Sequence, residues 1–273
     1  MLIWGHGDII CIMYRILIFV VFLCMSVPAR CADIGVGIDV GISALSGIEI
    51  GAGYRKADSD HWTSRFGVRA NISSTDPLKS AIDSALDRLM RDGVDVGDGV
   101  RLDAGKLDAW HGALLADFYP FAGPWRLTGG YAWGGMDMDA RVFGTVANAP
   151  ADRFYFYLAG DHYFYNGNQF KGSVSLDWNY HGPYFGTGFD WRLFCGLSLF
   201  FDVGAVVTNR PARMSMDIPH EQLYIYNTES GTWSPVQVPQ LNTDVARATA
   251  DANRKLSDYR LYPMIKLGFG YRF

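Results

Sequence analysis

Arg260-Leu-Tyr-Pro-Met-Ile-Lys-Leu-Gly-Phe-Gly-Tyr-Arg-Phe273 divides by parity. Odd positions hold Leu261, Pro263, Ile265, Leu267, Phe269, Tyr271 and Phe273, all apolar or aromatic. Even positions hold Arg260, Tyr262, Met264, Lys266, Gly268, Gly270 and Arg272. Successive side chains of a strand point to opposite faces. One face is therefore continuously apolar and the other carries charge and glycine. A half-buried soluble sheet shows the same alternation. Recurrence in segments of ~10 residues, with aromatic girdles, separates a transmembrane barrel from that case.

The pattern recurs. In Ile34 to Ile42 and in Gly47 to Arg55 the even positions are apolar or aromatic, and the odd ones carry Gly, Asp39, Glu49 and Arg55. Trp62 to Ile72 reads as a third such strand, with Arg65 and Arg69 on the odd face. A fourth runs Lys106 to Tyr119, with Trp110, Leu114, Ala116 and Phe118 outward and His111 and Asp117 inward. A fifth starts at Trp125, with Leu127, Tyr131 and Trp133 outward, and continues past Met138. Ser173 to Trp191 reads as a sixth. Val174, Leu176 and Trp178 are there out of phase with Phe185 to Trp191, so a bulge is expected near Gly182-Pro183. Gly196 to Thr208 is a seventh, with Asp202 inward, and the quoted stretch is the eighth.

Connections alternate in length. Lys56–His61, Pro120–Pro124 and Arg192–Cys195 are short, whereas Ser73–Ala104, Thr145–Gly172 and Asn209–Asp258 are long; only the first hairpin, Ser43–Ser46, is short where length is allowed. Short periplasmic turns opposite long extracellular loops are the habit of outer-membrane barrels. The loops carry structure of their own. Pro77 to Met90 reads as a helix capped by Asp76, and Thr243 to Leu256 as an amphipathic helix capped by Asn242. Two aromatic hairpins are expected. Phe154–Tyr165 turns at Ala159-Gly-Asp161 and extends the neighbouring strands; Gln222–Asn227 pairs with Thr232–Val238.

Residues 1–29 read as an N-terminal extension and cleaved signal peptide, and 30–273 as a single barrel domain. Arg15 supplies the positive region, Ile16 to Cys24 the apolar run and Val27-Pro28-Ala29 the cleavage site, with Ala32 the other choice. The run is too short for a transmembrane helix. Cys31 as an acylated residue would need a small residue where Arg30 stands. Four cysteines, two of them in or before the signal, make neither a disulfide framework nor a metal set. A net charge of −4 with no clustered basic face excludes a nucleic-acid partner.

The signal, the eight strands and the closing Tyr271-Arg-Phe273 resemble small outer-membrane barrels of the OmpA/OmpX superfamily. Gly51-Ala-Gly-Tyr-Arg55, Ala116-Asp-Phe-Tyr-Pro-Phe121, Gly182-Pro-Tyr-Phe-Gly-Thr-Gly188 and Tyr259 to Phe273 are similar to a group of proteobacterial outer-membrane proteins. The resemblance implies an all-β, closed, antiparallel up-and-down barrel in the bacterial outer membrane. It also implies that Leu267, Phe269, Tyr271 and Phe273 form the signal read by the assembly machinery. It implies no catalytic residues.

The expected lumen charge network is Asp39, Glu49, Arg65, Arg69, Asp117, Asp202, Lys266 and Arg272, with Arg55 and His111 also inward. A barrel of eight strands has room for side chains or one small ligand. Two readings stay open: ion pairs that fill the lumen, or a narrow path lined by Arg65, Arg69 and Lys266 against Asp39, Glu49 and Asp202. The expected role is structural or narrowly porin-like. A surface protein that binds through its aromatic loops is the alternative, and a lipid-modifying enzyme comes last. His61, His111, His162, His181 and His220 show no catalytic spacing, with His111 and His181 placed toward the lumen. Asp92, Asp95, Asp98 and Asp103 lack EF-hand spacing. No catalysis, cofactor or metal is expected. Membrane lipid, lipopolysaccharide and the assembly machinery are the expected partners of a monomer. On the lipid face Leu267→Arg is expected to be costly, and Gly268→Ser, toward the lumen, much less so.

Overall fold

A computed structural model describes residues 35–56, 62–89, 94–97, 100–121, 123–143, 153–166 and 172–273. The signal segment, Cys31 and His61 lie outside them. The strands are β1 (Val36–Ser43), β2 (Gly47–Arg55), β3 (Phe66–Ser74), β4 (Val94–Gly97), β5 (Val100–Phe118), β6 (Trp125–Phe143), β7 (Arg153–Leu158), β8 (Asp161–Asn166), β9 (Gly172–Arg192), β10 (Leu197–Val207), β11 (Arg213–Asp217), β12 (Leu223–Asn227), β13 (Thr232–Pro235) and β14 (Leu261–Arg272). Helix α1 is Lys79–Leu89 and α2 is Val238–Leu256.

Eight strands close a ring in the order β1-β2-β3-β5-β6-β9-β10-β14, and β14 returns to pair with β1. Every pairing is antiparallel, from Gly37↔Arg272 and Ile42↔Leu267 at the closing seam to Leu199↔Trp191 beside it. Closure leaves no unpaired edge, the condition for crossing a membrane with strands. The side-chain alternation runs as read: Val36, Ile38, Val40, Ile50, Val68, Leu114, Leu127, Ile265 and Phe269 are exposed on the outside. Ile72 at 67% and Leu267 at 54% exposure would be anomalous in water; here they form the surface that meets lipid. Trp110, Tyr131, Trp133, Phe189 and Trp191 face outward among them. No helix among the described residues is long and apolar enough to cross a membrane.

The connections from β2 to β3, β5 to β6 and β9 to β10 and both described chain ends lie at one end of the barrel, hereafter the turn end; the tight β1–β2 turn lies at the other, the loop end. Strands β5, β6 and β9, with 19, 19 and 21 residues, outrun the ~9–11 that span a bilayer. They carry the wall upward at the loop end, where β4 adds to β5 and β11 to β9.

Several sequence expectations change. Asp76 does not cap the first loop helix: it opens a 3-10 turn, Asp76–Leu78, ahead of α1. The third strand begins at Phe66; Trp62–Arg65 is a 3-10 turn, which removes Arg65 from the alternation. No bulge interrupts β9: its register with β6 is unshifted from Val142↔Gly172 to Trp125↔Phe189. Even positions of β9 point inward throughout, so Leu176 and Trp178 pack inside, with Met136, Tyr180, Tyr262 and Met264. The upper lumen is aromatic and apolar, which is why the face with the apolar residues switches along β9. The long helix starts at Val238, with Pro239 in its first turn, and Gln237, not Asn242, precedes it. The aromatic hairpin β7–β8 does not prolong the barrel. It joins β12 and β13 in a separate sheet ordered β13-β12-β8-β7.

That loop sheet has its own core. Phe156, Leu158, Tyr163, Leu223 and Ile225 are buried on one face, with Leu241, Val245 and Ala248 of α2 packed against them. Tyr163 Oη donates to Asp244 Oδ2 at 2.5 Å, and burial with this bond pushes the phenol's pKa up. Asn253 of α2 clamps β11 by accepting from Met214 N (2.7 Å) and donating to its carbonyl (2.9 Å).

Candidate functional site

The candidate site is the charged middle of the lumen. Inward positions of neighbouring strands must face one another there, because the interior of an eight-stranded barrel is just wide enough for side chains to fill. Arg69 of β3 forms two bonds to Asp117 of β5: Nε to Oδ2 at 2.6 Å and Nη2 to Oδ1 at 3.0 Å. Its Nη1 reaches Asp202 of β10 at 3.1 Å. Arg126 of β6 grips Asp202 from the other side, with Nη2 at 2.8 Å from both carboxylate oxygens and Nε at 3.2 Å from Oδ1. Thr128 Oγ1 donates to Asp117 Oδ1 at 2.7 Å. Arg69, Asp117, Arg126, Thr128 and Asp202 are all buried. Two guanidiniums and two carboxylates thus share a compact, charge-assisted array.

The array extends toward the turn end. Asp190 of β9 accepts from Arg272 Nη2 at 2.6 Å and lies 3.5 Å from Arg126 Nη1. Tyr119 Oη sits between Arg126 Nη1 (3.4 Å) and Asp190 Oδ2 (3.5 Å). Its ring is covered by the Arg55 guanidinium at 3.5 Å, a cation–π contact. Arg55, Asp39 and Arg272 line a shallow recess there. A second pair sits nearby: Lys266 of β14 meets Glu49 of β2, and Asn71 Nδ2 donates to Glu49 Oε1 at 2.9 Å. Ser73, Ser46 and Ser43 continue in a hydroxyl chain at 2.8 Å per link.

Of the residues proposed from sequence, the structure joins Arg69, Asp117 and Asp202 in one cluster, Glu49 with Lys266, and Arg272 with Asp190. Asp39 is half-buried at the recess. Arg65 is not in the lumen: it is exposed on the 3-10 turn. Arg126 and Asp190 were not singled out, although parity alone places both inward, beside outward Leu127 and Phe189. Counting paired lumen groups, the acids Glu49, Asp117, Asp190 and Asp202 balance the bases Arg69, Arg126, Lys266 and Arg272.

Above the charges, His111 Nδ1 lies 3.1 Å from Tyr180 Oη, and Tyr180 stacks on Tyr262 at 4.4 Å between centroids. Trp178 packs edge-on against Tyr262 at 5.2 Å. His181 faces outward instead, between Tyr131 Oη (2.5 Å from Nδ1) and Asn209 Nδ2 (2.8 Å from Nε2). Asn209 also accepts from the His181 backbone N–H at 3.0 Å, so its amide group donates to Nε2. With Nε2 accepting, Nδ1 is the nitrogen that faces Tyr131 Oη. Among the described residues no group of His, Cys, Asp and Glu is placed to hold a metal ion.

A closed eight-stranded antiparallel barrel with an apolar outer belt, short turns at one end and long loops at the other defines the class: a bacterial outer-membrane barrel. The sequence matches no family model. No curated protein matches it either. The fold is similar to that of Acinetobacter baumannii CarO, at 16% identity and a TM-score of 0.52 over 87% of this chain and 97% of that one. For A. baumannii CarO2 the identity is 16% and the TM-score 0.53, over 87% and 98%. A major outer membrane protein from Thermus thermophilus aligns at 14% identity and a TM-score of 0.40, over 87% and 98%.

Proposed function

We propose that the chain is a structural protein of the outer membrane whose lumen is closed, and that its work is done by what the barrel carries on its loop end. One observation supports this above others: the Arg69–Asp202 bond spans the lumen between opposite walls, with Arg126 bonded to the same Asp202 and Asp117 to the same Arg69. Each charge of this cluster already has a partner inside the protein, so a passing ion would have to replace those bonds while shedding its own water. The narrow porin-like version requires that replacement; the closed version does not. The aromatic layer of Trp178, Tyr180 and Tyr262 adds an apolar obstruction on the same axis.

In this reading the chain belongs with the OmpA/OmpX-like small barrels and works as a monomer without catalysis or cofactor. Its loops face outward, and Leu267, Phe269, Tyr271 and Phe273 are offered to the assembly machinery. Planar-bilayer recording of the refolded full chain tests it. No current steps are expected for the wild type. Steady conductance from the wild type would overturn the closed reading in favour of the narrow pore.

A further inference from the structure

The loop sheet buries one face against α2. Its other face is built differently. The cross-strand register Tyr155↔Phe164↔Tyr224↔Pro235 sets out one row that crosses all four strands, and the pairs Tyr157↔His162 and Tyr226↔Trp233, whose His162 and Tyr226 rings lie 6.2 Å apart, make a second beside it. Every one of these positions is a ring: seven aromatic and one proline. None carries a fixed charge.

The rings touch in series. Tyr155 stacks on Phe164 at 4.9 Å, Phe164 meets Tyr224 at 5.8 Å, and Trp233 lies within 5.7 Å of Tyr155, 5.7 Å of Phe164 and 5.2 Å of Tyr226. Tyr157 caps His162 at 4.1 Å. Tyr157 and Trp233 remain 52% and 39% exposed. A contiguous aromatic surface on a soluble loop marks an interaction site.

We infer that this two-row face is a saccharide-binding platform, and that its occupant is the oligosaccharide of the cell's own lipopolysaccharide. The chemistry selects that class. The faces of the rings carry negative charge density and attract C–H edges, which a pyranose presents on its flatter side. Tyrosine hydroxyls, the indole N–H and the imidazole sit at ring margins, where sugar hydroxyls need partners. The absence of fixed charge disfavours nucleic acid, which demands basic residues, and the phosphorylated lipid A end. The choice of source rests on the proposed outward orientation of the loops, since those sugars then surround the sheet.

The test is titration of the full chain, refolded in detergent, with core oligosaccharide freed of lipid A. Saturable binding is expected for the wild type, falling at least tenfold in Trp233→Ala and in Tyr157→Ala. It should be restored by Trp233→Phe and be unchanged in Phe121→Ala at the turn end. Heat-modifiable migration on a gel reports that each variant still forms its barrel. No binding by a folded wild type, binding to lipid A alone, or undiminished binding by both alanine variants would overturn the inference. Binding to a foreign glycan but not to the cell's own would overturn the choice of source. None of these outcomes bears on conductance, so the closed-lumen reading stands or falls separately.

Discussion

Arg69 and Asp202 stand on strands four apart in a ring of eight, directly opposite each other, and are joined at 3.1 Å. A bond between opposite walls fixes the cross-section of the barrel as well as filling it. Removing one partner of a buried ion pair typically costs about 3–5 kcal/mol, because the other charge is left without compensation. Arg69→Ala takes the two-bond cation from Asp117, which keeps Thr128 and a 3.7 Å approach of Arg126, and one of the two guanidiniums from Asp202. It is expected to lower stability by that amount in a urea titration of the lipid-refolded protein. Arg69→Met together with Asp202→Leu should lose less than the sum, since one charge of each sign is removed and Arg126 stays 3.7 Å from Asp117 and 3.5 Å from Asp190.

Conductance gives the second prediction. Arg126 is held by Asp202 at 2.8 Å and lies beside Asp117 and Asp190. Replacing Arg69 and Arg126 together by serine empties the centre of the lumen and leaves three acids facing it. Small, cation-selective current steps are expected in planar bilayers from the double variant and none from the wild type. A silent double variant would mean that the aromatic layer above closes the barrel unaided.

Parity made the outer surface legible from sequence: β1, β2 and β14 needed nothing more. The same rule placed Asp117, Asp202 and Lys266 inside, and would have placed Arg126. It could not say that Arg69 meets Asp202, because alternation assigns a face and not the strand across the lumen. It failed for Arg65, which leaves the strand before the alternation starts. At Trp178 the underlying assumption failed, since the upper lumen is as apolar as the lipid side, and a bulge was inferred where β9 runs straight. The loop sheet was half legible: both hairpins could be read locally. Their union through Tyr224↔Phe164 joins segments some 60 residues apart by an arrangement no local pattern encodes.

The seam between β14 and β1 reverses an expectation. Leu267→Arg places a charge on the lipid face and is expected to cost ~2–4 kcal/mol near mid-membrane. Gly268 is not the permissive neighbour its parity suggests. A Cβ there would lie 2.4 Å from the Val40 carbonyl oxygen, 2.5 Å from Gly41 Cα and 2.7 Å from the Phe200 ring. Gly41 and Gly268 are register partners, and their bare backbones make the space into which Phe200 folds. Gly268→Ser is therefore expected to destabilise by about 1–3 kcal/mol or more, in the range of core overpacking. Phe200→Ala in the same chain should relieve part of it. Parallel urea titrations of the three variants decide the order.

At the chain's close, Phe273 N–H donates to the Val36 carbonyl at 2.9 Å, and its ring lies edge-on to Tyr271 at 5.0 Å. One backbone bond at a seam held by seven register pairs contributes little. Deleting Phe273 should leave the refolding of purified protein almost unchanged. Assembly in cells should fall severalfold, measured as the heat-modifiable fraction in outer-membrane preparations. An equal loss in both settings would make Phe273 a stability residue and not a recognition signal.

The Tyr163–Asp244 bond tests whether the loop sheet stands as a separate unit on the barrel. Both residues are buried, and the 2.5 Å contact is a polar link between β8 and α2. Tyr163→Phe keeps the ring packed on Phe156 at 5.4 Å but leaves the Asp244 carboxylate with Arg247 at 3.5 Å. A buried acceptor that loses its donor costs about 1–3 kcal/mol, more when charged. That is enough to loosen a core of a few residues and too little to unfold a closed barrel. Limited proteolysis should cut Tyr163→Phe between β7 and α2 several times faster than the wild type, while heat-modifiable migration of the barrel is unchanged. Asp244→Asn, which still accepts the phenol's bond without a charge to bury, should resist proteolysis better than Tyr163→Phe. If barrel migration were lost together with loop protection, sheet and barrel would be one cooperative unit. The aromatic platform would then depend on the lumen charges for its shape.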